Sequence, residues 1–178
     1  MMDPSYYLSS EDEKKRYDQH NNDVNDLGYR NFVRPLVEAV TRQFSPADRG
    51  LDFGAGPGPV VAELLNEQGY CVDLFDLYYH PNLDMQPNSY DYIVCSEVIE
   101  HFKKPHAEFT RLRSLLKPGG SLLCFTALIN EQCDFINWHY KNDPTHVFFY
   151  HQRAIAWIKQ EFAFCEVTTR ERLIQFSL

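Results

Sequence analysis

Leu51 to Pro59 reads LDFGAGPGP, followed by VVAELL at 60–65 and, after Gly69, by YCVDLFD at 70–76. An apolar run that ends in an acidic residue, breaks into alternating glycines and resumes with helical character is the layout of a strand, a tight turn and a helix N-terminus. Gly54, Gly56 and Gly58 remove Cβ atoms where the backbone must turn sharply and approach a ligand. The helix beyond them offers N–H groups that have no partner within it. A second apolar run ends at Asp76, where a carboxylate is placed to accept both hydroxyls of a ribose. Together these make half of a doubly wound α/β domain with a nucleotide crevice at the carboxyl ends of its strands.

The details of the turn separate the ligand classes. A dinucleotide fingerprint needs a third glycine for close helix–strand packing, and Pro59 stands there instead. An NAD-dependent oxidoreductase is therefore the weaker alternative. No G-x-x-x-x-G-K-[ST] is present, and Pro57 and Pro59 remove donors that would cradle a phosphate. Asp52, two positions before the first glycine, would repel a pyrophosphate but suits a cationic ammonium group. S-adenosylmethionine carries such a group beside its sulfonium.

Four segments, LDFGAGPGP, Asp76, YDYIVCSEVIEHF at 90–102 and LLKPGGSLL at 115–123, together resemble the class I S-adenosylmethionine-dependent methyltransferases, in that family's order. The flanks RYDQHNNDVNDLGYRNF at 16–32 and NWHYKNDPTHVFFYH at 137–151 look like a narrower bacterial group of methyltransferases. The resemblance implies a Rossmann-like, three-layer α/β/α fold with strand order 3-2-1-4-5-7-6 and an antiparallel seventh strand. Only about a dozen residues separate Asp76 from YDYIV, so the third strand is expected to be short or missing, for a total of six to seven. The resemblance places S-adenosyl-L-methionine against Asp52, Gly54, Ala55, Gly56, Asp76, Leu77, Ser96 and Glu97, beneath a polar N-terminal lid that includes Tyr17 and His20. The adenine pocket is left open between Leu83, Asp84 and Met85 on one reading and Tyr78, Tyr79 and His80 on another.

Composition bounds the partners. The 178 residues are 44% hydrophobic and 24% charged, which suits one compact domain. We expect a lid and helix over 1–45, a cofactor-binding core over 50–125, and an acceptor-site loop, helix and closing hairpin over 126–178. A net charge of −8 argues against binding along a nucleic-acid backbone. The five cysteines form no C-x-x-C and read as free thiols, no apolar run approaches membrane-spanning length, and the N-terminus lacks an apolar signal core. A soluble cytoplasmic enzyme with a small-molecule acceptor is the expectation; oligomeric state is not encoded in any motif.

Local patterns supply the remaining elements. Ser9 or Ser10 caps a polar first helix, and apolar spacing predicts a second over Tyr29 to Phe44, with Pro35 marking a kink or a boundary near Arg34. A later helix is expected to stop at Pro118–Gly120, ahead of a buried strand SLLCFTAL. His101 follows the fourth strand and is similar to the histidine bordering the methyl donor in the family's E-x-x-E-H segment, while Glu100 reads as a surface cap or pair. His139 and His146 lie in the densest polar and aromatic stretch, which we assign to the acceptor. Those three histidines are the candidate bases for an O, N or C acceptor. A metal held by His139, His146, His151 and Asp143 matches no ligand spacing, so no metal is assigned. A non-catalytic cofactor-binding regulator is the remaining alternative, and the many titratable groups of this loop speak against it.

Overall fold

A computed structural model describes residues 1–19 and 23–178. Among these, six strands form one sheet in the order β2-β1-β3-β4-β6-β5. β1 (Gly50–Phe53), β2 (Val72–Phe75), β3 (Tyr90–Ser96) and β4 (Leu116–Phe125) are parallel, and β6 (Leu173–Ser177) runs antiparallel to both β4 and β5 (Glu166–Arg170). This is the expected order with its outermost member gone. Residues 77–89 form no strand, and β2 is left as an edge.

Period-two alternation builds the layers. On β3, Tyr92 and Val94 face one core while Ile93 and Cys95 face the other; on β4, Leu123 and Phe125 oppose Leu122 and Cys124 in the same way. The first core is completed by Val33, Leu36, Val37 and Val40 of α2 (Leu27–Thr41) and by Val60, Val61 and Leu65 of α3 (Val60–Asn66). The second is completed by Phe109, Leu112 and Leu115 of α4 (Pro105–Leu115) and by Ile155 and Ile158 of α5 (Gln152–Glu161). Helices thus cover both faces, and the carboxyl ends of β1, β2 and β3 open on one rim.

Three local expectations are corrected. Pro35 does not bound α2, which runs from Leu27 to Thr41 with the proline inside it and Asp26 capping the amides of Gly28 and Tyr29. The helix expected to stop at Pro118–Gly120 ends at Leu115, because Leu116 turns to extended backbone and pairs with Tyr90. The glycines then sit in an irregular start to β4, where the register jumps from Tyr90–Leu116 to Tyr92–Ser121. Glu100 is not on the surface: it is fully buried beneath the loop that follows β4.

Candidate active site

The glycine turn is pinned to β2. Gly54 and Ala55 donate to the Phe75 carbonyl at 2.7 and 3.1 Å, and Gly56 donates to Asp76 Oδ2 at 3.0 Å. Gly54 holds φ +84°, and a Cβ there would meet Val98 Cγ2 at 2.5 Å, so only glycine fits without rearrangement. With those donors committed to β2, the turn has little left for a phosphate. Asp76 Oδ1 accepts from the amides of Tyr78 (2.8 Å) and Tyr79 (3.1 Å), so the carboxylate also shapes the loop that carries both tyrosines.

Above this turn lies a cavity of about 910 Å³. Gly54, Gly56, Asp76, Leu77, Ser96, Glu97, Tyr17, His101 and His146 all line it. Ala55 is buried and Asp52 is 3% exposed, and neither reaches the cavity wall. The Ala62 amide, in the first turn of α3, faces Asp52 and favours its charged form, while Pro59 at the N-cap offers no side-chain acceptor. Burial pushes its carboxyl up to about 7. His139 lines a different depression of about 480 Å³, with Asn130, Asp134 and Trp138. His20 lies outside the described residues.

α1 (Ser10–Tyr17) closes the cavity, and polar contacts hold it there. Arg16 donates through Nε and Nη2 to Asp143 Oδ2 (3.1 and 2.8 Å), Glu13 pairs with Lys103 at 2.9 Å and accepts from the Tyr78 hydroxyl at 3.0 Å, and the Tyr79 hydroxyl donates to Asp18 just beyond the helix at 2.6 Å. Glu13 is the only buried residue of α1. Partly exposed pairs of this kind contribute on the order of 0–1 kcal/mol each, so the segment suits reversible docking.

The loop after β4 folds back over the cavity. Asp143 accepts from the Thr145 amide at 3.0 Å, closing a turn, and His146 Nδ1 lies 2.6 Å from the Tyr140 carbonyl. His101 Nδ1 lies 3.0 Å from the Thr145 carbonyl, and the two imidazoles meet edge-on with centroids 4.8 Å apart. A carbonyl can only accept, so both Nδ1 atoms carry protons and the Nε2 of the neutral ring is the basic atom. Burial and the neighbouring His101 lower the His146 pKa, which keeps it neutral at pH 7.

Beneath the histidines sits a network that sequence reasoning missed in part. Glu97, at φ +53° just past the end of β3, accepts from Arg172 Nη2 at 2.6 and 2.7 Å, and one of its oxygens lies 3.1 Å from the Tyr140 hydroxyl. The single Tyr140 proton goes to the nearer carboxyl, Glu100, and Thr126 donates to the other Glu100 oxygen at 3.0 Å. Burial raises both carboxyls, that of Glu97 to about 7. Arg172 comes from the turn between β5 and β6, where no motif marks it. Among the described residues, Glu100, His101 and His146 could each bring one ligand atom within 4.8 Å of the others; hydroxyls already engage both Glu100 oxygens, and both imidazoles place Nδ1 on a carbonyl, so Nε2 is the ring atom each would offer to a proton or a cation.

A methyltransferase domain model matches residues 14–167. The chain belongs to that family. Its strand order and carboxyl-edge cavity are those of the class I S-adenosylmethionine-dependent fold. It is 31% identical over 96 residues to a ubiquinone biosynthesis O-methyltransferase of Pectobacterium atrosepticum, covering 54% of this chain and 39% of that protein. The chain thus spans about two fifths of the curated relatives it matches first. Among solved structures it is similar to the 1,6-didemethyltoxoflavin-N1-methyltransferase of Burkholderia thailandensis, with TM-score 0.64 and 15% identity, covering 94% of this chain and 82% of that one. It is also similar to an S-adenosylmethionine-dependent methyltransferase of Archaeoglobus fulgidus, with TM-score 0.60 and 20% identity, over 78% of this chain and 71% of that one. No helix among the described residues is long and apolar enough to cross a membrane.

Proposed function

We propose that this protein transfers the methyl group of S-adenosylmethionine to a nucleophile, with a hydroxyl favoured, on a small molecule bound between α1 and the loop over Asn137–His151. The observation that carries this reading is one cavity that joins the glycine turn and Asp76 to His146 and His101. Its volume, about 910 Å³, is at the upper end of the range for small-molecule sites, roughly 300–1,000 Å³, and suits a cofactor and a modest acceptor together.

The residues fit the cofactor. A carboxylate offers about four acceptor positions, and Asp76 spends three on backbone amides. One ribose hydroxyl is accommodated directly, and the second replaces a turn bond. Bound there, the cofactor supplies an electrophilic methyl on a cationic sulfur. The protein aligns the acceptor, excludes water beneath α1 and moves one proton. His146 Nε2 is the assigned base, contributing typically 10²–10⁴-fold for an acceptor that must lose a proton, and His101 packs against it. Tyr17, 5.4 Å from the His101 ring, and Phe32 supply aromatic walls for a flat acceptor. The names of the O-methyltransferase relatives favour a hydroxyl acceptor.

Titration calorimetry with S-adenosylhomocysteine and with NAD tests the reading. Saturable binding of the first and none of the second is expected, and the reverse would defeat it. Incubating metabolite extracts with labelled methyl donor then identifies the acceptor. Cofactor binding without any labelled product would favour a non-catalytic binding protein.

A further inference from the structure

Most charged side chains of the cavity wall already have partners: Glu13 with Lys103, Arg16 with Asp143, Glu97 with Arg172, and Asp76 with three amides. Glu108 and Arg111 do not fit that pattern. Both line the cavity from α4, one turn apart on one helix face, and among the described residues neither side chain makes a hydrogen bond or ion pair. Arg111 instead lays its guanidinium over the rings of Phe75 (4.7 Å) and Phe53 (5.4 Å), the residues directly before Asp76 and Gly54. A guanidinium stacked by its face keeps its N–H edge available as donors.

The two side chains reach this wall because β2 is the edge of the sheet. Beyond Tyr79, residues 80–95 contribute nothing to the cavity, so Leu83, Asp84 and Met85 do not line it, and α4 closes that end instead. The opposite end is marked by contact: Tyr78 packs on Tyr17 at 5.8 Å, Tyr17 on His101 at 5.4 Å, and His101 on His146 at 4.8 Å. In an adenosyl sulfonium, the sulfur and the base leave the ribose from opposite sides, at C5′ and C1′. A ribose at Asp76 whose sulfur faces the histidines must send its base toward α4.

We infer that Glu108 and Arg111 form the edge-reading wall of the nucleobase pocket, Glu108 accepting from the 6-amino group of adenine and Arg111 donating to N7 beside it. This assignment rests on the methyl-donor reading above. It gives α4 a role in choosing the cofactor, with the exposed Leu77 and the Val98 side chain as apolar cover for the ring faces.

Binding of S-adenosylhomocysteine and S-inosylhomocysteine, measured by calorimetry, tests it without any acceptor. The inosyl compound replaces the amine donor by a carbonyl and puts a proton on N1, while N7 keeps its lone pair. A hydrogen bond to a charged acceptor is worth about tenfold or more in affinity, so the wild type should prefer the adenosyl compound by at least that factor. Glu108→Gln, whose amide donates to the carbonyl, should tighten inosyl binding and bring the ratio close to one, a gain that misfolding would not produce. Arg111→Met should weaken both. A ratio unchanged in Glu108→Gln, or a wild type indifferent to the two, overturns the inference while leaving the donor site standing. No binding of either by the wild type overturns both.

Discussion

Replacing Asp52 by asparagine should make the protein more stable in alkaline buffer. Asp52 is 3% exposed and its carboxyl is raised to about 7 from 3.8, chiefly by burial, with the Asp76 charge adding to the shift. A group whose folded pKa lies above its unfolded value binds its proton more tightly in the folded state. Its contribution to stability is therefore complete below pH about 4 and is lost as pH rises through about 7. A shift of about three units at ~1.36 kcal/mol each puts the loss at roughly 4 kcal/mol, an upper bound on what asparagine recovers. Asparagine keeps a carbonyl oxygen facing the Ala62 amide, so the start of α3 keeps an acceptor there. For a chain of this size ~1 kcal/mol corresponds to ~2–4 °C in Tm, so the variant should gain up to ~8–16 °C at pH 8 and little at pH 4.5. Thermal unfolding followed by circular dichroism across that range reads the effect. Parallel wild-type and variant Tm curves would refute the reasoning. Because Asp52 lies outside the cavity wall, the variant should also bind S-adenosylhomocysteine within a few-fold of wild type; a hundredfold loss would restore the direct ammonium contact that the sequence suggests.

Other perturbations probe the site itself. Gly54→Ala adds a Cβ 2.5 Å from Val98 at φ +84° and should cost on the order of 2 kcal/mol or more in urea denaturation, together with cofactor affinity. Asp76→Ala should abolish measurable S-adenosylhomocysteine binding and lower Tm by several degrees, since the Gly56, Tyr78 and Tyr79 amides lose their acceptor; unchanged affinity would remove the proposed ribose contact. His146→Ala should leave cofactor affinity near wild type while lowering turnover ~10²-fold or more, and the wild-type rate should climb with pH with its midpoint below that of an ordinary imidazole, as the direction of the His146 shift requires. A midpoint above that of an ordinary imidazole would exclude His146 as the base. Arg16→Ala frees α1 from Asp143 and should speed cofactor release in stopped-flow measurements with only a small change in Tm.

What was legible in the chain follows from which interactions are local. The glycine turn, the acid ending β2 and the shortened 77–89 segment fix a nucleotide crevice and a lost outer strand, because spacing along the chain alone determines them. The α4–β4 boundary was misplaced because Pro118, Gly119 and Gly120 look like a helix stop, whereas the pairing of Leu116 with Tyr90, 26 residues away, wins that stretch for the strand. Pro35 carries a strong breaking signal that α2 absorbs while packing Val33, Leu36, Val37 and Val40 into the core. Glu100 resembled a surface residue because nothing near it in sequence pairs with it; its partners Thr126 and Tyr140 arrive from 26 and 40 residues downstream. Arg172 and Arg111 stayed hidden for the same reason, one reaching Glu97 from a hairpin turn and the other reaching Phe75 from a helix. The three candidate histidines are also separated only by the fold: His101 and His146 share one cavity, while His139, the first residue of a short helical turn over His139–Asn142, faces another depression.

The account stands on a methyl donor seated between the glycine turn and the two histidines. A crystal structure of the complex with S-adenosylhomocysteine measures that directly. It should show a ribose hydroxyl on Asp76, the sulfur facing His101 and His146, and the base running toward α4. The ligand lodged beside His139, or its sulfur turned away from both imidazoles, would contradict it.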